Sequence, residues 1–400
     1  MAFIANFLTE KLQAKIAEKL VDETTFRRIQ RSGILEKYLP IQTFNTADFV
    51  YYITETISPI ATVRAMGGPV PTTGYGGFNK MTVDALNIAK GYIFDTRMQD
   101  QMQKIMTEAL YKGVDVVSGV DPSTGRFESL NDALVNYLFG TVKGIVDGIM
   151  DKYLQMGWEV LSYGSTSTSS DPLTKVSYNL NFRQQNEPWD ALLFPADLTD
   201  TGNTTTPYLN KWTDYVNADG IETMQQLVLN YTELNGYRPD AVAMSQRSVI
   251  HLRNQQSTIV RARQAAGLAQ VGSVGIDMLQ NILALNELPP IVQVNELYDV
   301  ESTLPQESTY TYSPFVTRAR FLPENRIVFL KEGAGSIAMG STVEMKNVKE
   351  DDGRVSNENS SIMVRVYEKS KIPMVDEMYG LSYGCPIVAS PRRLMAQTVW

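Results

Sequence analysis

The sequence predicts an α+β chain of two or three domains, with a helical segment at its start and a long Gly/Pro-punctuated excursion after it. Three observations predict it. A helical period runs through 129–163. Helix, strand and helix follow one another within 221–252, which is α/β texture. Strict alternation over 176–182 and 361–367 marks strands elsewhere. A length of 400 residues fits two or three domains, and a chain that long needs no staples to hold a core.

The elements follow in order. Residues 3–38 place Phe3, Ile4, Phe7, Leu8, Leu12, Ile16, Leu20, Phe26, Ile29, Ile34 and Leu35 mostly three and four apart, and Pro40 stops the pattern. Two readings stand open: an arm that packs on a neighbour, or an ordinary first helix on the same core. The segment has no apolar run of the signal-peptide kind, so the chain is expected to work where it is made. Residues 41–64 alternate around Phe49, Tyr51, Ile53 and Ile57 and predict short strands. Residues 65–80 change texture, with Gly67, Gly68, Pro69, Pro71, Gly74, Tyr75, Gly76 and Gly77, and predict a long excursion. It lacks the G-x-x-x-x-G-K-[ST] order of a phosphate cradle. Val83, Ile88 and Ile93 predict a returning strand over 81–96.

The long period carries Leu130, Leu134, Leu138, Ile145, Ile149 and Leu154 near one stripe. At 1.5 Å per residue such a helix is about 50 Å long. Gly140, Gly144 and Gly148 stand four apart on one face, and each costs roughly 1 kcal/mol of helix propensity. Either something lies very close against that face or the helix bends there, and a helix laid across a sheet is the better reading. A Gly/Ser/Thr turn over 164–171 leads to the strand of Val176, Tyr178, Leu180 and Phe182. A polar stretch, 183–210, precedes a helix with Ile221, Met224, Leu227, Val228, Tyr231 and Leu234 that ends at Gly236. A strand at 241–244 follows Pro239, and Ser245 caps a helix with Val249, Ile250 and Leu252. Residues 265–275 read as a loop or a helix start. Strands are expected at 291–294, 325–330 and 361–367, with turns at Gly333 and Gly335 and at 351–353, and two short apolar stretches follow around Met374 and Ile387.

Composition excludes more than it proves. There are 36 basic and 44 acidic residues, a formal charge of −8, which argues against a strongly basic nucleic-acid binder while leaving a local basic patch open. No run approaches 18 apolar residues. One cysteine, Cys385, makes no internal disulfide and no cysteine zinc site, and one histidine, His251, removes every site that needs paired imidazoles. His251 has no G-x-S-x-G partner motif and reads as a surface or core histidine. Cys385 reads as a small buried hydrophobe. The acidic neighbours at Asp22 and Glu23, at 350–352, and at Asp376 and Glu377 lack calcium-loop order and read as solvated surface. Arg27, Arg28 and Arg31, Arg318 and Arg320, and Arg392 and Arg393 read as ordinary solvated surface, or as contacts to phosphate or to a neighbouring subunit's acids. Twenty tyrosines suit either interfaces or general core use.

The order of elements resembles the HK97-like fold of the major capsid proteins of tailed bacteriophages, most of all the branch of the lambda major head protein. The resemblance covers most of the chain as a layout. It is carried by the 129–163 helix with Trp158, Leu161 and Gly164 at its end, by Gly236-Tyr237-Arg238-Pro239-Asp240, by Leu322-Pro323-Glu324-Asn325-Arg326, and by a tail with Pro386 and Pro391. It implies an N-terminal arm and lead-in strands at 1–55 and an extended β-hairpin, the E-loop, at 56–98. It implies a peripheral domain at 99–182 and 311–373 with a spine helix at about 129–163, and an α/β axial domain at 183–310 and 374–400. It further implies a non-enzymatic subunit, with no cofactor or metal and no membrane contact. Such a subunit assembles as hexamers and pentamers into an icosahedral virion head around double-stranded DNA, in the cytoplasm of a bacterial host.

The implied partners are a scaffolding protein, a portal, possible decoration proteins and weakly held DNA. The implied assembly contacts are Phe7, Arg27, Arg28 and Arg31 in the arm, Gly67, Gly68, Tyr75 and Lys80 in the loop, Gly140, Gly144 and Gly148 on the helix, and Arg318. Some members cross-link a specific Lys to an Asn of a partner subunit; Lys80 lies near the implied E-loop, but nothing in the sequence identifies an acceptor. The competing readings are an α/β hydrolytic enzyme using a carboxylate pair about 5–9 Å apart, and another virion protein such as a portal or tube subunit.

Overall fold

The computed structural model describes residues 33–44, 48–54, 78–94, 117–120, 127–168, 177–199, 205–267, 274–302, 315–340, 354–356, 362–369 and 375–400. The fold is α+β, and the described residues form two mixed sheets, four small two-stranded sheets and helices around them.

A helical stretch at 33–38 opens the described chain, and Leu35, Tyr38 and Leu39 are buried in the body's own core. Pro40 then leads into β1 (Ile41–Phe44), and β2 (Asp48–Thr54) pairs antiparallel with β3 (Phe78–Asp84), Asp48 opposite Asp84 and Thr54 opposite Phe78. The excursion at 65–80 thus lies, up to residue 77, outside the described residues, but the hairpin that carries it starts at Asp48 rather than near 56. The single return strand expected at 81–96 is two strands. β3 closes the hairpin, and β4 (Leu86–Phe94) turns back into the body.

A small hairpin, β5 (Val117–Val120) with β6 (Phe127–Ser129), runs directly into α1 (Leu130–Tyr163). The 34 residues of α1 make it about 51 Å long. It ends at Gly164, whose φ of +68° only glycine adopts readily. The Gly164 N–H donates to the Val160 carbonyl at 2.8 Å and closes the last turn. Beyond it, β7 (Ser165–Thr168) pairs with β8 (Tyr178–Asn181).

The middle of the chain is α/β. It contains α2 (Asp190–Leu193), a 3-10 turn at Pro207–Leu209, α3 (Gly220–Asn235), β9 (Ala241–Met244), α4 (Gln246–Asn254), α5 (Gln256–Ala266), α6 (Ile276–Leu285) and β10 (Ile291–Gln293). Its boundaries have local causes. The Asp219 carboxylate accepts from the Glu222 N–H at the start of α3, and Gly236, at φ +76°, ends that helix. Ser245 Oγ accepts from the Ser248 N–H and caps α4. Gly267 ends α5 in the left-handed region.

A third hairpin, β11 (Leu297–Ser302) with β12 (Phe315–Arg320), precedes β13 (Arg326–Leu330) and β14 (Gly335–Gly340). The chain finishes with β15 (Arg354–Ser356), β16 (Ile362–Lys369), β17 (Val375–Val388) and β18 (Met395–Thr398).

The six-stranded sheet runs β1-β14-β17-β16-β15, with β4 also on β17. β4 pairs with β17 up to Leu86 opposite Gly384. On the other edge of β17, β16 ends with Ile362 opposite Ser382, and β14 takes over with Gly340 opposite Tyr383. The four-stranded sheet runs β10-β9-β13-β18, with β9 and β10 parallel and β13 antiparallel to its neighbours.

The four-stranded sheet is buried on both faces, which explains its unbroken apolar runs. Ala241, Ala243, Val328, Leu330 and Ala396 join the core around α1. Val242, Met244, Ile327, Phe329 and Met395 join a second core with α3, α4 and α6. The sheets also cut across the boundaries expected at 310/311 and 373/374. β13, expected with the peripheral segments, pairs with β9 and β18, and β17, expected with the axial ones, is the centre of the six-stranded sheet.

Candidate assembly surfaces

α1 joins the two sheets. Ile145, Ile149 and Tyr153 are buried in its core, and the Tyr153 hydroxyl lies 2.8 Å from Ser382 Oγ on β17. Further along, Trp158, Val160 and Leu161 are buried, and the Arg326 guanidinium of β13 sits 4.1 Å from the Tyr163 ring centroid and donates to the Ser162 carbonyl. One helix therefore fixes the six-stranded sheet at its middle and the four-stranded sheet at its end.

The glycine face of α1 is closely packed where it is described. A Cβ at Gly144 would stand 3.0 Å from the Tyr92 hydroxyl, and one at Gly148 would run into the Lys90 side chain. Both neighbours belong to β4, so a strand lies across the face, as the spacing predicts. Gly140 lies one turn earlier on the same helix. Because the obstacle at Gly148 is the movable end of a lysine, Gly148→Ala is expected to be neutral or to stabilise by up to about 1 kcal/mol, the helix-propensity difference. Urea denaturation checks this, and a loss above about 1 kcal/mol would mean that Lys90 cannot move aside.

Phe7, Arg27, Arg28, Arg31, Gly67, Gly68 and Tyr75 lie outside the described residues. Lys80 is on β3, with Tyr52 as its partner on β2. Arg318 is on β12 opposite Asp299, Nε 3.5 Å from Oδ1, with both side chains largely exposed. In water such a pair contributes little stability, so this hairpin presents charges that are open to other partners.

His251 is half-buried on α4, with Nδ1 2.8 Å from the Tyr215 hydroxyl. Burial, with Arg247 nearby, holds its pKa below the ordinary histidine value. Cys385 is fully buried on β17, and burial pushes its thiol up to about 12. Native protein is therefore expected to resist iodoacetamide at pH 8 and to be alkylated only on unfolding. Mass spectrometry showing fast labelling of folded protein would contradict that burial. Among the described residues no group of three or more His, Cys, Asp or Glu side chains is placed to hold a metal ion, and no helix is long and apolar enough to cross a membrane.

Sequence reading missed the contact that locks the end of α1. Arg183 donates from Nε to both Asp190 oxygens, at 3.2 and 3.1 Å, and from Nη2 to Oδ2 at 2.5 Å. Its guanidinium lies 4.6 Å from the Phe194 ring centroid, and its stem covers Gly164. The only sequence signal was an arginine seven residues before an aspartate in a polar stretch.

No family model matches the chain, and no curated protein matches it. Solved structures do. A candidate capsid protein of a prophage of E. coli CFT073 matches at 13% identity over 94% of this chain and 98% of that one, with a TM-score of 0.48. A phage-related protein from Bordetella bronchiseptica RB50 matches at 12% identity over 91% of each chain, with a TM-score of 0.42. A virus-like particle from Pyrococcus furiosus matches at 8% identity over 97% of this chain and 98% of that one, with a TM-score of 0.39.

Proposed function

We propose that this chain is an HK97-like major capsid protein of the lambda-like branch. It self-assembles as hexamers and pentamers into an icosahedral virion head around double-stranded DNA, in the cytoplasm of a bacterial host. The observation that carries this reading is α1, a 34-residue helix shared by the cores of two sheets, with β2 and β3 forming a two-stranded hairpin separate from both sheets among the described residues. A spine of that kind holds two domains rigid while arms and loops bury area on neighbours, and their ordering cost is met at assembly. In this reading the four-stranded sheet and its helices form the axial domain and the six-stranded sheet with α1 the peripheral one. The β2–β3 hairpin is the base of the E-loop.

The arm residues Phe7, Arg27, Arg28 and Arg31, the loop residues Gly67, Gly68, Tyr75 and Lys80, Gly140 of α1, and Arg318 contact neighbouring subunits, whereas Gly144 and Gly148, expected among these contacts, are covered by β4 of the same chain. A scaffolding protein, a portal and any decoration protein complete the particle, and an acidic subunit holds its DNA weakly. The test is negative-stain microscopy after expression together with the neighbouring genes. Polyhedral shells are expected. A monodisperse monomer or a small ring overturns the reading.

A further inference from the structure

The charge of this chain is unevenly spread. Residues 241–276 contain four arginines and no acidic residue, so the remaining positions hold 44 acids against 32 bases. The acid-free stretch includes all of α4 and α5, and the structure gathers their outer side with a loop and an aromatic cluster. His251 stacks on Tyr215 at 5.7 Å between centroids and meets Trp400 at 5.2 Å, and the Arg247 guanidinium lies 5.6 Å from the Trp400 centroid. The Gln256 N–H donates to the Tyr215 carbonyl at 2.7 Å, and Ser257 Oγ donates to the Ala218 carbonyl at 3.1 Å. The 215–218 loop is thereby fixed over the junction of α4 and α5. On it Val216 is 77% exposed, and on α4 Ile250 is 43% exposed.

Asp214, Asp219 and Glu324 border this face, and each is engaged. Asp214 accepts from the Val216 and Asn217 N–H groups and from Asn217 Nδ2. Asp219 takes Arg261, and Glu324 takes both Arg320 and Arg247. Arg247, Arg261 and Arg320 meet these acids, and Arg253 and Arg263 add two further guanidinium groups on α4 and α5. Arginine beside tyrosine, tryptophan and exposed aliphatic side chains is the composition of a protein interface. A groove that tracks phosphates has instead free cations and little exposed apolar surface.

We infer that the face formed by α4, α5 and the Tyr215–Val216 loop docks an acidic surface of a second copy of this chain. The occupant follows from charge: outside this face the chain is strongly acidic, so copies repel except where the arginines meet the acids of a neighbour. The inference rests on the self-assembly proposed above and adds the surface that carries it.

The test places a charge of each sign at Val216, which is too exposed to matter for folding. Parent, Val216→Glu and Val216→Lys chains are compared by sedimentation velocity at low and high salt, with circular dichroism to establish that each is folded. Val216→Glu adds an acid to a basic face and shields it from its acidic partner. It is expected to weaken association at least about tenfold, whereas Val216→Lys stays within about threefold of the parent, and added salt weakens all three. Parent assembly with equal behaviour of the two variants overturns this surface alone. A parent that does not self-associate under any condition overturns the self-assembly reading and this surface with it. Salt-dependent binding of a labelled DNA duplex that Val216→Glu abolishes, with assembly unchanged, overturns the inference in favour of nucleic acid.

Discussion

Replacing Arg183 by alanine is expected to destabilise the protein by about 3–5 kcal/mol, the cost of leaving a buried carboxylate without its cation. The Asp190 side chain is only 6% exposed, and that of Arg183 27%. Arg183 engages both carboxylate oxygens, covers Gly164 at the end of α1, and lies over Phe194. The substitution therefore removes a charge partner and the packing of its stem at once. A double-mutant cycle separates the two effects. Asp190→Asn in the Arg183→Ala background removes the stranded charge and should recover about half of the loss, while the packing defect stays. Urea denaturation gives each value. If Arg183→Ala lies within about 1 kcal/mol of the parent, the pair is not the clasp described here.

The bounds of α1 were legible because its apolar stripe is long and its end is marked by Gly164. The caps of α3 and α4, at Gly236 and Ser245, were legible because local chemistry sets them. β17 was not. Gly380, Gly384 and Pro386 break the apolar pattern, so the segment read as two short stretches instead of one 14-residue strand. Pairing on both edges overrides those breaks.

Pro386 shows how. It stands opposite Ile337, whose N–H donates to the Pro40 carbonyl and so points away from β17. That makes Ile337 and Pro386 a non-hydrogen-bonded pair, and the N–H that proline lacks would have faced the β4 side. β4 has already ended, at Leu86 opposite Gly384, so the missing donor leaves no ladder bond unmade. Such a site depends on partners some three hundred residues away, which local periodicity does not contain. The same holds for sheet membership. β13 and the two stretches of β17 are alike apolar in sequence, and only their registers assign them to different sheets. On the candidate surfaces, glycine spacing gave the close approach at Gly144 and Gly148, while the identity of the neighbour, β4, came from topology.

Gly384→Ala is expected to be the opposite of Gly148→Ala, with a loss of about 3 kcal/mol or more. At Gly384 a Cβ would stand 2.5 Å from the Ala338 carbonyl oxygen of β14 and 2.6 Å from the Tyr153 hydroxyl of α1. The carbonyl belongs to the backbone of a strand paired on both sides, with β1 and β17, so it cannot step aside as a lysine end can. The added methyl must push β17 from β14 or push Tyr153 from Ser382, and the second loosens α1 from the six-stranded sheet. Tyr153→Phe tells the two apart. Alone it should cost about 1 kcal/mol, the worth of one hydrogen bond. Combined with Gly384→Ala it should rescue almost nothing if the carbonyl is the obstacle, and much of the loss if the hydroxyl is. The rigid partner predicts no rescue. A Gly384→Ala chain that melts with the parent would mean that β14, β17 and α1 do not meet as closely as the glycine requires.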